Sequence, residues 1–173
     1  MQNLPSSIGN LSRAASSVGA YMLERIEIDS GLQVAFNGKE LSKGTGLNAE
    51  FINDAVDELE EAGLVKTYKV MGMREYKFRQ VEPTYVLFRE FSQILPYNPE
   101  DDIKMTAAAV ASLGNADGNA LLQACGLSPG RLNRAVEYLE DYGIVQVIKW
   151  MGTRPYTFGE VVATRRTKQF VQT

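Results

Sequence analysis

Side chains able to do chemistry are scarce in this sequence. It has no histidine and a single cysteine, Cys125. Without imidazole there is no Ser-His-Asp or Cys-His nucleophile and no imidazole ligand for zinc, copper or iron. One thiol excludes an intrachain disulfide and a cysteine-cluster metal site; Cys125, beside Gly126 in a turn next to the core, is expected to be buried. Neither a GxGxxG nor a GxxxxGKS/T phosphate loop is present, and no carboxylate pair stands apart from the acidic helix faces. The expectation is a protein that is not an enzyme and takes no cofactor or metal. What remains is charge. Residues 1–102 hold ten Lys or Arg against sixteen Asp or Glu, net −6, and residues 103–173 hold eight against five, net +3. Lys104, Arg131, Arg134, Lys149, Arg154, Arg165, Arg166 and Lys168 make a basic surface if the fold gathers them, and ordinary solvated charge if it scatters them.

The elements that must position these groups follow from a repeat. Residues 46–84 align without a gap onto 126–164 at a constant offset of 80, with 17 of 39 positions identical. Unrelated segments of ordinary composition would match at about two or three. Ala55, Val56 and Leu59 recur as Ala135, Val136 and Leu139, and Ile52 is answered by Leu132, one apolar stripe at helical spacing. Asn48 and Ser128-Pro129 mark the helix start; Gly63 and Gly143 mark its end, each followed by a branched aliphatic pair. Downstream, the β-prone runs 64–70 and 74–79 meet at Met71-Gly72-Met73, and 144–150 and 154–158 meet at Met151-Gly152-Thr153, predicting tight hairpins. Arg74, Tyr76 and Phe78 share one face, as do Arg154, Tyr156 and Phe158, so the aromatics are expected to pack on the helices. Upstream, Asn37-Gly38-Lys39-Glu40 has the form of a capping box, matched by Asp117-Gly118.

With 173 residues and 45% apolar content, the chain suits one ordinary domain or two small ones. The reading is an α+β fold, mainly α with short β-hairpins: a serine-rich N-terminal arm (1–20), a first domain (21–82), a connector helix and breaker-rich linker LPYNPEDD (83–102), and a second domain with a basic tail (103–173). No run approaches the roughly 18 apolar residues of a membrane span, and the N-terminus lacks a basic start and an apolar leader core, so a cytoplasmic location without membrane contact is expected.

The run GKELSKGTGLNAEFINDAVDELEEAGLVKT resembles the core of winged helix-turn-helix regulators such as MarR and related bacterial families, and GNALLQACGLSPGRLNRAVEYLEDYGIVQV follows the same pattern. With the hairpins, the resemblance covers residues 37–79 and 117–158 and implies tandem winged-helix domains. Similar tandem units occur in DNA-binding regulators, in chromosome-segregation accessory proteins and in membrane-trafficking complexes where they bind proteins. The resemblance places a base-reading surface at the front of the longer helix of each repeat. In copy one that surface is Ala49, Glu50, Asn53, Asp54 and Asp57, acidic and unsuited to phosphate. In copy two it is Pro129, Gly130, Asn133, Arg134 and Glu137 with Arg131 beside them, and Arg131, Asn133 and Arg134 are candidates for phosphate or base-edge contacts. Lys149 and Arg154 on the hairpin and Arg165, Arg166 and Lys168 in the tail join them. The expected function is DNA binding, as a transcriptional regulator acting on duplex DNA mainly through copy two. The alternative is a protein-interaction adaptor that leaves nucleic acid untouched. In that reading Glu50, Asp54, Asp57, Met71, Met73, Trp150 and Met151 are the partner-binding candidates, or Met and Trp fold back onto their own domain or onto the other copy. A homodimer through the N-terminal arm or the 84–94 helix is a further expectation.

Overall fold

The computed structural model describes residues 8–29, 33–72 and 74–173, so Met73, Ser6 and Ser7 lie outside the described residues. Among the described residues the chain is mixed α/β, with eight α-helices and two small antiparallel sheets. It divides into two units between Pro96 and Tyr97. The first contains α1 (Arg13–Ile28), α2 (Gly38–Thr45), α3 (Ala49–Glu61), β1 (Val65–Lys69), β2 (Phe78–Pro83) and α4 (Tyr85–Glu90). The second contains α5 (Pro99–Leu113), β3 (Asn115–Asp117), α6 (Gly118–Cys125), α7 (Pro129–Asp141), β4 (Val145–Ile148), β5 (Glu160–Ala163) and α8 (Arg165–Gln172).

The repeat is reproduced residue for residue where local chemistry dictates it. α2 and α6 begin and end 80 positions apart, as do α3 and α7. Asn37 and Glu40 complete the capping box, and Asn48, Asp117 and Ser128 each accept a hydrogen bond from a first-turn amide. α3 and α7 close identically: Gly63 and Gly143 adopt φ of +73° and +62°, and the amides of Leu64 and Ile144 donate to the carbonyls of Leu59 and Leu139 at 2.9 and 2.8 Å. Only a residue without Cβ takes that left-handed turn at no steric cost. Phe36 bridges Val81, and 80 residues on Ala116 pairs with Val161, where the bridge widens into β3 and gives the order β3-β5-β4.

Each unit encloses its own core. Three helices pack mutually in each, α1 with α2 and α3, and α5 with α6 and α7. Val18, Met22, Leu23, Leu41, Ile52, Val56, Leu59 and Val81 fill the first core; Ile103, Val110, Leu121, Leu132, Val136, Leu139 and Val161 fill the second.

Three expectations are corrected. A boundary at residue 20 would cut α1, whose Ala15, Val18, Met22, Leu23 and Ile26 are core; the serines around it are local polar partners, Ser12 as the N-cap and Ser16 accepting from the Ile8 amide. The linker read into LPYNPEDD is in part a helix start: Asn98 caps α5, Pro99 occupies its first position, and Glu100, Asp101 and Asp102 line its first turn. The hairpins are not tight. The strands resume only at Phe78 and Glu160, leaving connecting loops over 70–77 and 149–159.

Those loops turn an aromatic inward. Tyr76 lies over Gly38 so closely that a Cβ there would stand 2.2 Å from the ring, and Tyr156 lies over Gly118 at the same 2.2 Å. Gly118→Ala is therefore expected to cost the second unit about 1–3 kcal/mol through overpacking, measured as a lower urea midpoint at unchanged slope.

Candidate interaction surface of the longer helices and the hairpin loops

The surface is built on α3 and α7 and on the loop that each holds beside it. The holding device is an asparagine. Asn53 donates from Nδ2 to the Glu75 carbonyl and accepts at Oδ1 from the Lys77 amide, both at 2.9 Å. Asn133 does the same with the Pro155 carbonyl and the Thr157 amide, both at 3.0 Å. Loop backbone packed on a helix needs such partners, and one carboxamide supplies a donor and an acceptor together. The two contacts flank the tyrosine and aim its ring at the glycine. Asn133, a candidate for base contacts, is thus committed to its own loop. The identity of Asn53 and Asn133 in both copies, mid-helix where asparagine is a modest helix former, is the signal that could have found this role.

The arginines are committed too. Arg131 makes a bidentate contact with Asp102, Nε to Oδ2 at 2.8 Å and Nη2 to Oδ1 at 2.5 Å, and its guanidinium carbon stands 3.9 Å from the centre of the Tyr97 ring. The Asp102 side chain is 6% exposed and that of Arg131 26%. Arg134 donates from Nη2 to the Tyr97 hydroxyl at 2.7 Å. The front of α7 therefore gathers the two guanidinium groups onto the Asp102 carboxylate of α5 and the phenol of Tyr97, the residue before its cap. Sequence reasoning passed over Tyr97 and Asp102 because both fell in the stretch read as linker.

The other cations are distributed. Lys149 pairs with Glu140 at 2.9 Å, repeating Lys69 with Glu60 at 2.8 Å. The Lys69 ammonium and the Thr67 hydroxyl hold the Glu60 carboxyl below its ordinary range, and Lys69 is raised by the same partner. Arg154 is exposed on its loop, and Arg165, Arg166 and Lys168 are exposed on α8. Arg166 reaches back to Gly143 just beyond the C-terminal end of α7, whereas Arg131 and Arg134 occupy its first two turns, roughly 14–18 Å away at the helical rise. Lys104 is exposed on α5. The eight cations do not form one stripe along α7. The charge asymmetry shrinks as well: the division at residue 97 moves Glu100, Asp101 and Asp102 into the second unit, leaving it with eight cationic and eight acidic residues and the first unit at −3.

On the first unit Glu50 and Asp54 are exposed, while Asp57 reaches Lys69 and Lys77 at 3.5 and 3.1 Å. At the loop tips Met71 and Met151 are 96% and 97% exposed, so neither folds back. Trp150 is half exposed and lies flat on Gly159 of its own loop, where a Cβ would meet the ring at 2.4 Å. Cys125 is half-buried rather than buried; its sulfur stands 3.7 Å from the Met105 carbonyl, and desolvation pushes the thiol up. Among the described residues no group of three or more His, Cys, Asp or Glu side chains is placed to hold a metal ion, and no helix is long and apolar enough to cross a membrane.

No protein-family model and no curated protein matches the sequence. The nearly buried Asp102 carboxylate depends on Arg131 for its bidentate partner. Arg131→Ala is expected to destabilise the second unit by about 2–4 kcal/mol, below the full figure for a buried pair because the guanidinium keeps part of its surface in water. Asp102→Asn in the same chain should recover part of that loss, read as a double-mutant coupling in urea unfolding.

Proposed function

We propose that the chain is a protein-interaction adaptor built from two tandem winged-helix units, not a nucleic-acid reader. The order of three helices and a hairpin in each unit supports the winged-helix part of this reading, with α3 and α7 in the place of recognition helices and the hairpin loops as wings.

One observation carries the choice between binding classes: Arg131 and Arg134 are engaged by Asp102 and Tyr97 within the second unit. Nucleic-acid affinity rests on placing cations against phosphates. To do so here, Arg131 would have to leave a nearly buried carboxylate without its partner, at a cost comparable to the gain from a phosphate contact. A unit of zero net charge adds no long-range attraction.

The two wings support the adaptor reading from the other side. Most residues identical in both repeats have a visible structural duty: Gly63 and Gly143 close helices, Asn53 and Asn133 hold loops, Tyr76 and Tyr156 cover glycines, Lys69 and Lys149 pair with Glu60 and Glu140. Met71 with Met151 and Arg74 with Arg154 stand exposed on the loops, and among the described residues no such duty is seen for them. An exposed methionine with an arginine three residues on, kept twice, suits contact with protein, where both types are enriched.

Titration of labelled duplex DNA at roughly 50 and 200 mM salt tests the proposal, because phosphate neutralisation must show as a steep salt dependence. No saturable binding at micromolar protein is expected. Salt-sensitive binding abolished by Arg165→Glu with Arg166→Glu, on a helix that leaves the α7 cluster intact, would overturn it in favour of duplex binding through α8 and Arg154.

A further inference from the structure

The two units differ sharply on one face, that of the first two helices. α1 and α5 fall outside the 80-residue register, yet at an offset of 84 every buried position of α5 (99, 102, 103, 106, 107 and 110) meets a buried position of α1 (15, 18, 19, 22, 23 and 26); the remaining buried residues of α1, Ser16 and Ala20, are answered by Glu100 and Lys104, which are not buried. In that frame Met105 stands where α1 has Tyr21, Ala108 and Ala109 where it has Glu24 and Arg25, and Leu113 where the chain has Asp29. On α6, Ala120, Gln123 and Ala124 replace Glu40, Lys43 and Gly44. From Met105 to Gly130 one charged residue remains, Asp117, and its carboxylate caps α6 by accepting from the Ala120 amide at 2.8 Å. The counterpart, residues 21–50, carries eight.

In the first unit this cleft is closed from within. The Tyr21 ring lies so near Gly44 that a Cβ would stand 2.1 Å from it, and the ring meets Phe36 edge-on at 6.3 Å. In the second unit a groove of about 370 Å³ lies open instead, lined by residues that include Met105, Ala108, Ser112, Leu113 and Cys125. Met105 and Leu113 are exposed.

We propose that this face of α5 and α6 is the contact between two copies of the chain, packed about a twofold axis. In such a contact every residue near the axis meets itself, so a charge there would face its own like. From Met105 to Cys125 the face lacks the Glu, Arg, Asp and Lys of its duplicate and satisfies that condition, with exposed Asp101 and Lys104 left at its edge one turn earlier on α5, and Ala108, Ala109 and Ser112 allow close approach of helix to helix. A partner recognised through complementary charge would require some charge on this face. The inference stands apart from the adaptor reading, since no wing residue enters it.

Sedimentation equilibrium of the full chain, from low to high micromolar concentration, is expected to give twice the 19.1 kDa of one chain. Ala109→Arg with Leu113→Asp installs the residues found at the matching positions of the first unit, on exposed or half-buried sites that the helix can accept. The pair is expected to weaken the dimer at least about a hundredfold, because it places charges in an uncharged contact, while the circular-dichroism melt shows the fold retained. Maleimide labelling of Cys125 should slow as wild-type concentration rises and be independent of concentration in the double variant. A wild-type chain that stays monomeric, a folded double variant that stays dimeric, or a dimer in which Cys125 labels at a constant rate would each overturn the proposal.

Discussion

A single carboxamide couples helix to hairpin in each unit. The loops over 70–77 and 149–159 are too long to satisfy their backbone by strand pairing alone, and polar backbone packed against a helix must find partners elsewhere. Asn53 and Asn133 provide them by taking the carbonyl before and the amide after one tyrosine. That grip rotates Tyr76 and Tyr156 onto Gly38 and Gly118, which tolerate the rings because they have no side chain. The tyrosines pair with Phe78 and Phe158 at 6.1 and 5.6 Å, joining the loop to the core. With the inner half of each loop so held, its tip is left in water, and Met71 and Met151 stand there.

The second unit adds a constraint of its own. Asp102 sits in the first turn of α5 with its carboxylate nearly out of water, and a carboxylate in that position requires a bound cation. Arg131 meets the requirement bidentately, and Tyr97 gathers Arg131 under its ring and Arg134 at its hydroxyl. The cations that make α7 look like a phosphate reader thereby join α7 to the start of α5. The first unit lacks this lock: Phe51 and Asp54 stand in place of Arg131 and Arg134, and both are exposed. The duplicated scaffold has therefore specialised on each copy's surface while the asparagine, glycine and threonine devices beneath stayed the same; Thr84 and Thr164 both return a hydroxyl to the carbonyl just before the hairpin's first strand, β1 or β4.

Much of the fold was legible because its signals are local. Capping residues, the glycines after α3 and α7, the apolar stripe of each long helix and the 80-residue repeat are read from neighbours in the chain, and the elements follow them. Other signals are ambiguous. Asn98-Pro99-Glu100 serves equally as a turn or a helix start, and the serine-rich arm suits a helix from about Ile8 as well as a partly disordered lead-in, a choice that α1 decides for the helix. The hairpin ends were misplaced because a β-prone run such as 74–79 has no local feature that says the backbone of Glu75 and Lys77 bonds to an asparagine 22 and 24 residues earlier.

The sequence by itself determined that the chain is a duplication, that each copy is helical with a short hairpin, and that imidazole and multi-thiol chemistry is absent, because composition and periodicity do not depend on what lies across the fold. Only the tertiary structure decided whether a given charge or amide faces solvent or another part of the chain. Arg131 and Asp102 are 29 residues apart, and Asn133 and the Pro155 carbonyl 22 apart. Their pairing is a consequence of helix packing and loop closure, which residue type does not encode. The same holds for the α5–α6 groove: each of its small residues is unremarkable alone, and it is their convergence, without a Tyr21 to cover them, that leaves it open.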